Sequence, residues 1–222
     1  MNLRLRLAYF LLHLGDFIKS LPVLVMRPND LVEFSRRTYA KPQNVESWAE
    51  QDMVDAGLGE AEQDLLAALP VKSGELLLLG VGGGREAIPL ARAGFHVTGV
   101  DYVAALVERS IENASRRGVA IQGSVQEISR LSVPADSFDV IWISEAMYSC
   151  VPTRARRVEM VRRIAQSLKP GGFFVCQYHR GEPKQSSAKY HLLRRLVAVC
   201  TLGNLAYEDG DVLWGSAEFI HI

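Results

Sequence analysis

The spacing of hydrophobic residues changes character near residue 70. Before that point apolar residues recur every three or four positions, which is typical of amphipathic helices, predicted over residues 3–21, 31–39 and 60–69. The first helix carries the clearest face, formed by Leu3, Leu7, Phe10, Leu11, Leu14, Phe17, Ile18 and Leu21. After residue 75 short continuous apolar runs alternate with helical segments, and this alternation indicates strand–helix–strand units.

The second part of the chain predicts a parallel sheet. The continuous apolar run at 76–79 ends in glycines and suits a strand buried on both faces. Further strands are predicted at 95–100, 119–123, 138–144 and 173–178. Two more strands are expected within 205–222. We therefore expect an α/β, Rossmann-like, doubly wound fold with a mostly parallel seven-stranded sheet and a C-terminal antiparallel strand. Residues 1–70 would form a helical appendage or lid, and residues 71–222 the catalytic domain.

Composition narrows the class of partner. The chain has 222 residues, of which 25 are basic and 25 acidic, so its formal net charge is zero. Nucleic-acid binding usually leaves a basic surface, so we expect a small-molecule substrate and no nucleic acid. The spacing of the histidines and of the three cysteines fits neither a metal site nor a disulfide framework, which predicts no metal and buried free thiols in a reducing compartment.

The N-terminus resembles the start of a signal peptide, because Arg4 and Arg6 precede an apolar run over 7–12. His13 and Asp16 interrupt that run, and no small-x-small cleavage site follows. The run is also shorter than the roughly 20 apolar residues of a membrane span. We expect a cytoplasmic protein whose first helix packs on the domain; contact with a membrane surface and a homo-oligomer through this helix are the disfavoured alternatives.

A glycine-rich segment at 79–86 follows the first strand and opens a helix. Glycine lets the backbone turn sharply and approach a ligand closely. Asp101 lies 21 residues after Gly80, at the end of the next strand, where a carboxylate can accept both hydrogen bonds of a ribose diol. Together these residues predict a nucleoside-containing ligand.

The glycine spacing alone leaves two ligand classes open. Gly80, Gly82 and Gly84 have the spacing of S-adenosylmethionine enzymes, whereas Gly82, Gly84 and Ala87 satisfy the dinucleotide pattern. An NAD-type oxidoreductase therefore stands as an alternative on this evidence.

A wider resemblance rests on four segments whose order and spacing match as a set: 78–86, 97–101, 137–146 and 168–172. Over residues 75–178 the chain resembles the class I S-adenosylmethionine-dependent methyltransferases of the small-molecule type. The resemblance implies S-adenosyl-L-methionine as cofactor and in-line methyl transfer to a small-molecule acceptor. Leu78 and Ser124 stand where the family often has acidic residues, which leaves open a cofactor-binding protein without catalysis.

The resemblance also assigns cofactor contacts. Asp101 would bind the ribose, Tyr102 would lie along the adenine, and Tyr39 would reach the methionine end. The expected cofactor-binding set is Gly80, Val81, Gly82, Gly83, Gly84, Arg85, Asp101, Tyr102, Ser124, Val125, Gln126, Ser144 and Tyr39.

The acceptor should lie beyond the carboxyl ends of the fourth and fifth strands. Glu145 and His179 are the expected catalytic residues, as candidates for a base that takes a proton from the acceptor. Tyr148, Tyr178 and His179 are the expected substrate contacts. Structural roles compete with these assignments, because Glu145 could cap a helix and His179 could be an exposed loop residue.

Overall fold

A computed structural model describes residues 2–178, 188–215 and 218–222. Its centre is a five-stranded parallel sheet in the order β3-β2-β1-β4-β5. The strands are β1 (Gly74–Leu79), β2 (Phe95–Asp101), β3 (Gln122–Val125), β4 (Phe138–Ile143) and β5 (Leu168–Cys176). The Rossmann-like order, with β1 between β2 and β4, agrees with the predicted doubly wound architecture.

The leucines of β1 explain why this strand is central. Alternate side chains point to opposite faces of a sheet. Leu76 and Leu78 pack in one core cluster with Trp142, and Leu77 and Leu79 pack in another with Ile141. Both faces are therefore covered, as the continuous apolar run predicts.

Four helices follow strands of the sheet. They are α6 (Ala87–Arg92), α7 (Ala104–Arg116), α8 (Arg154–Ser167) and α9 (Ala188–Cys200). Gly94 and Gly118 follow α6 and α7 with φ of 108° and 74°, values that suit a glycine helix end. Pro89 lies in the first turn of the short α6, where proline removes no internal hydrogen bond.

Five helices precede the sheet. They are α1 (Leu3–Val25), α2 (Pro28–Tyr39), α3 (Pro42–Ala49), α4 (Gln51–Asp55) and α5 (Glu60–Ala68). The predicted end of the first helix at residue 21 is wrong, because α1 continues through Pro22 to Val25. The expectation that α1 packs along the domain is also wrong for most of its length. Only its last turns are buried, through Val23 and Leu24, whereas its apolar residues from Leu3 to Ile18 are largely exposed.

The prediction of seven strands in one sheet is wrong. Strands β6 (Asp211–Trp214) and β7 (Glu218–His221) pair antiparallel with each other in a separate two-stranded sheet. Phe219 of β7 packs in a cluster with Val23 of α1 and Leu31 of α2. The hairpin therefore buries its apolar side against the appendage instead of extending the main sheet.

Candidate functional site

A cavity of about 400 Å³ opens beyond the carboxyl ends of β1, β2 and β4. This is where open α/β sheets bind ligands. It is lined by Tyr39, Trp48, Met53, Gly80, Val81, Gly82, Gly83, Arg85, Glu86, Asp101, Tyr102, Leu106, Ser144, Glu145, Ala146, Met147, Cys150 and Glu218. The sheet and the appendage thus both contribute walls.

Residues 80–84, which we call the glycine turn, lie against the carboxyl end of β2. The amides of Gly80 and Val81 both donate to the carbonyl of Val100, at 2.8 and 3.0 Å. Gly80 has a φ of 91°, and a Cβ there would lie 2.7 Å from Cγ of Met147. Gly82 has a φ of 50°, with no atom within 4 Å of a Cβ position, so its side faces open space.

Asp101 faces this turn directly. Its carboxylate accepts from the amide of Gly82 at 3.1 Å and from the amide of Val103 at 3.0 Å. Burial raises the pKa of Asp101, although the backbone amides of Val103, Gly82 and Tyr102 oppose the shift. Each carboxylate oxygen keeps a second lone pair that can accept from a ligand hydroxyl. The glycine turn and the carboxylate therefore share one side of the cavity.

Arg85 links the turn to the appendage. Its guanidinium donates to Glu62 of α5 at 2.7 Å, to Glu86 at 2.7 Å and to the carbonyl of Gly57 at 2.8 Å. Glu86 is buried, and it also accepts from the hydroxyl of Ser144. Burial raises the pKa of Glu86, against the opposing charge of Arg85. With two carboxylate partners, the charge of Arg85 is compensated.

Helix α3 closes over the turn. A Cβ on Gly83 would lie 2.1 Å from the carbonyl oxygen of Trp48, so glycine is the residue that this contact allows. The side-chain amide of Asn113 on α7 donates to the carbonyls of Gly83 at 3.0 Å and of Ala49 at 3.2 Å. These contacts fix the backbone of α3 against the glycine turn, with the Trp48 side chain at the cavity.

A second group of polar side chains lies on the opposite wall. The hydroxyl of Tyr39 donates to Glu218 at 2.5 Å, and the thiol of Cys150 lies 3.8 Å from the same carboxylate. Burial, followed by contact with Glu218, raises the pKa of both Tyr39 and Cys150. Glu218 thus presents a proton-accepting oxygen beside two neutral donors.

The structure brings most of the predicted cofactor residues to the cavity but not all of them. Gly84 lies behind the turn, where its Cβ position is 3.4 Å from the carbonyl of Ser110. Ser124 accepts from the side chain of Gln126, and Val125 is exposed. Gln126 lines a smaller adjoining cavity that it shares with Asp101 and Tyr102. Contacts from Ser124, Val125 and Gln126 to a ligand stay predictions.

Of the residues predicted to contact the acceptor or to take its proton, the structure places some at the cavity and others outside it. Glu145 lines the cavity. Tyr148 and Tyr178 lie outside it and pack against each other, with ring centroids 6.1 Å apart. His179 lies outside the described residues. A catalytic role for His179 or Glu145 therefore stays a prediction.

Three titratable residues at the cavity have no counterpart in the sequence prediction. Glu86 directly follows the glycine turn in the sequence, and this position next to Arg85 is enough to suggest that it lies near the ligand. Cys150 had been interpreted as an ordinary core thiol. Glu218 belongs to a hairpin more than 70 residues beyond β4, and only the tertiary packing of α2 on β7 brings it to Tyr39.

Comparisons with known proteins agree with this geometry. Residues 76–172 match the family model described as a methyltransferase domain. Over these residues the chain is similar to S-adenosylmethionine-dependent methyltransferases. The ubiquinone biosynthesis O-methyltransferase of Roseobacter denitrificans is 31% identical over 126 residues, which are 57% of this chain and 49% of that protein. The corresponding Coxiella burnetii protein is 33% identical over 104 residues, 47% of this chain and 43% of the relative. The chain spans about half the length of the curated relatives it matches.

Solved structures show the same fold for this part of the chain. Phosphoethanolamine N-methyltransferase 2 of Haemonchus contortus, solved with S-adenosyl-L-methionine, has a TM-score of 0.55 at 20% identity and covers 75% of this chain and 44% of that one. An S-adenosyl-L-methionine-dependent methyltransferase structure from Methanococcus maripaludis has a TM-score of 0.54 at 16% identity, covering 61% and 62%. At these identities the likeness establishes the fold alone.

Proposed function

We propose that this chain binds S-adenosylmethionine in the cavity and catalyses methyl transfer to the hydroxyl group of a small molecule. The observation that carries the proposal is the hydrogen bond between the glycine turn and Asp101 across one wall, within a methyltransferase-family domain. The names of the matched relatives support an oxygen acceptor.

The cavity fits a nucleoside cofactor in size and in chemistry. Its volume of about 400 Å³ lies within the usual range for ligand pockets. The free lone pairs of Asp101 suit a ribose diol, and the open space at Gly82 allows a close approach to the backbone. Leu106 and Tyr102 add apolar and aromatic surface beside Asp101.

Charge favours a sulfonium cofactor over a dinucleotide. Besides Glu86, which pairs with Arg85, the carboxyl side chains of Asp101, Glu145 and Glu218 line the cavity. Among the described lining residues Arg85 is the one cation, and its charge is compensated by Glu62 and Glu86. An acidic cavity attracts a cation and opposes the two phosphates of a nicotinamide dinucleotide. This argument disfavours the oxidoreductase alternative.

The bound cofactor supplies an electrophilic methyl group on a sulfonium that leaves as a neutral thioether. The chain has to align the acceptor with that group and exclude water. Trp48 and Met53 of the appendage and Met147 after β4 supply apolar walls for this purpose. Residues 1–70 thus act as a lid in this proposal.

We assign the acceptor's proton to Glu218. A hydroxyl acceptor gives up its proton during attack, and a carboxylate within hydrogen-bond reach can take it. Tyr39 donates to Glu218 and holds its carboxylate at the wall. Glu145 lines the same cavity and is the alternative base.

The cofactor assignment is tested by thermal unfolding with S-adenosylmethionine, S-adenosylhomocysteine or NAD. We expect the first two to raise the melting temperature by mass action and NAD to leave it unchanged. Stabilisation by NAD alone would refute the cofactor assignment.

The acceptor chemistry is tested with methyl-labelled cofactor and a panel of phenols, alcohols and amines. We expect turnover of a hydroxyl acceptor, and Glu218→Gln should lower kcat by roughly 10²–10⁴-fold at neutral pH. The loss should shrink at high pH, where a phenol ionises without help. Glu145→Gln tests the alternative base and should retain most activity; a large loss in this variant alone would assign the role to Glu145. Cofactor binding without turnover of any acceptor would instead favour a non-catalytic binding protein, and equal rates in Glu218→Gln and wild type would remove Glu218 as the base.

A further inference from the structure

The most unusual surface of the molecule is the apolar one formed by α1 and α9. In α1 the exposed large apolar residues are Leu3, Leu5, Leu7, Tyr9, Phe10, Leu11, Leu12, Leu14 and Ile18. They include Leu5, Tyr9 and Leu12, which lie away from the face predicted from the sequence. The helix is therefore apolar over most of its circumference and yet exposed, and by length and composition it could cross a membrane. A helix of this type is normally buried in protein or in lipid.

A second apolar group adjoins the first. Helix α9 packs against α1. Its exposed face carries Leu192, Leu193, Leu196 and Val199, and Leu202 and Leu205 continue this group just beyond the helix. Large contiguous apolar patches on proteins mark interaction surfaces. We call the exposed parts of α1, α9 and residues 202–205 the α1–α9 surface.

The last turns of α1 are built into the fold. Val23 and Leu24 are almost completely buried. The backbone amide of Asn204 donates to the carbonyl of Leu24 at 2.7 Å, and its side-chain amide donates to the carbonyl of Val23 at 3.3 Å. Loss of α1 would open the core that it shares with β7. The last turns of the helix are thus an integral part of the domain.

The charge around the α1–α9 surface and the length of the exposed part of α1 favour a lipid membrane as its partner. Exposed cations lie on or directly after the two helices of the α1–α9 surface: Arg4, Arg6 and Lys19 of α1, Arg27 just after it and Arg195 of α9. Cations at the rim of an apolar surface complement anionic lipid headgroups. The exposed stretch from Leu3 to Ile18 reaches about 24 Å at about 1.5 Å per residue. This is shorter than the hydrocarbon core of about 30 Å, and the apolar groups of α9 lie alongside it.

We propose that the α1–α9 surface is a membrane-docking surface. Helix α1 lies in the interface of a lipid bilayer with its apolar side chains in the hydrocarbon, and the leucines of α9 enter beside it. The surrounding arginine and lysine side chains extend to the headgroups, as long basic side chains do. The methyltransferase domain is thereby held at the membrane surface through one side.

Vesicle flotation of the full chain tests this proposal. The probes are phosphatidylcholine vesicles with and without about one third phosphatidylglycerol, because anionic lipid should strengthen binding. Leu7→Glu/Leu11→Glu and Leu192→Glu/Leu196→Glu should each lower the vesicle partition coefficient by at least about a hundredfold, since two exposed leucines lose their burial. Val158→Glu/Val161→Glu on α8 is the matched control, because it places the same charges on exposed apolar positions of another helix and should bind like wild type.

The remaining outcomes decide against the proposal. Wild-type chain that stays with the lipid-free fraction overturns it. A concentration-dependent dimer that Leu7→Glu/Leu11→Glu abolishes, without vesicle binding, assigns the surface to a second copy of the chain. Recovery from cells of a chain shortened by α1 identifies a cleaved leader. Unchanged S-adenosylhomocysteine affinity and melting temperature in each variant confirm that the domain has remained folded.

Discussion

The contact between Gly83 and α3 makes a sharp prediction about the lid. A methyl group at residue 83 would lie 2.1 Å from the carbonyl oxygen of Trp48 and 2.7 Å from Cα of Ala49. Ordinary contacts begin near about 3.5 Å, so α3 has to move by about 1.4 Å. Both obstructing atoms belong to the backbone, so no side-chain rotation relieves them. We expect Gly83→Ala to cost about 1–3 kcal/mol, typical of overpacking.

Thermal unfolding and cofactor titration measure this effect. For a chain of this length the melting temperature should fall by roughly 2–12 °C. The affinity for S-adenosylhomocysteine should fall about tenfold, because the displaced helix carries Trp48 at the cavity. Gly118→Ala is the control: its φ of 74° adds backbone strain, but no atom lies within 4 Å of the new methyl group. It should lower the melting temperature slightly and leave affinity unchanged. Wild-type affinity and stability in Gly83→Ala would refute the assigned contact.

Two further predictions concern titratable groups. Burial raises the pKa of Glu62, but hydrogen bonding to Arg85 outweighs this effect, so the pKa is lowered on folding. The carboxylate should therefore contribute stability that is fully present above its unfolded pKa of about 4.3. This contribution should be lost as the pH falls through the lower pKa of the folded state. Glu62→Gln should therefore destabilise the protein by about 1.5–3 kcal/mol at pH 7, and the gap from wild type in denaturant unfolding should narrow below about pH 4; a constant gap would contradict this. Burial raises the pKa of Cys150, whereas Cys200 is exposed, which corrects the expectation that all three thiols are buried. Peptide mapping after brief alkylation should find Cys200 modified and Cys150 intact, and faster reaction at Cys150 would contradict its burial.

The parts of the fold that follow from local patterns could be predicted from the sequence. The leucine run of β1 indicates a strand buried on both faces, and the glycines after α6 and α7 mark the helix ends. Residues 169–172, Lys-Pro-Gly-Gly, have the composition of a turn, yet they lie inside β5 as an irregularity, because β4 pairs with residues on both sides of them. Turn residues are compatible with both arrangements, and strand register is a tertiary property.

The location of α1 and of the final hairpin could not be predicted in this way. Apolar spacing shows that a helix has a hydrophobic face but not what covers it, so the exposure of Leu7 and Leu11 became visible only in three dimensions. The same limit applies to Glu218. Strand alternation places it on one side of β7, and only the packing of that hairpin against α2 brings its carboxylate to Tyr39.

The most direct test of the account is the titration of S-adenosylhomocysteine into wild-type chain and Asp101→Asn. The amide keeps the shape of the carboxylate but loses its charge, and a hydrogen bond to a charged group contributes about 1.5–3 kcal/mol. Asp136→Asn is the matched control, because Asp136 is exposed and its φ of 48° is tolerated by asparagine. The account predicts binding to wild type and to Asp136→Asn with equal affinity, and roughly 10–100-fold weaker binding to folded Asp101→Asn. Equal affinity in all three proteins, or no binding to wild type, would contradict it.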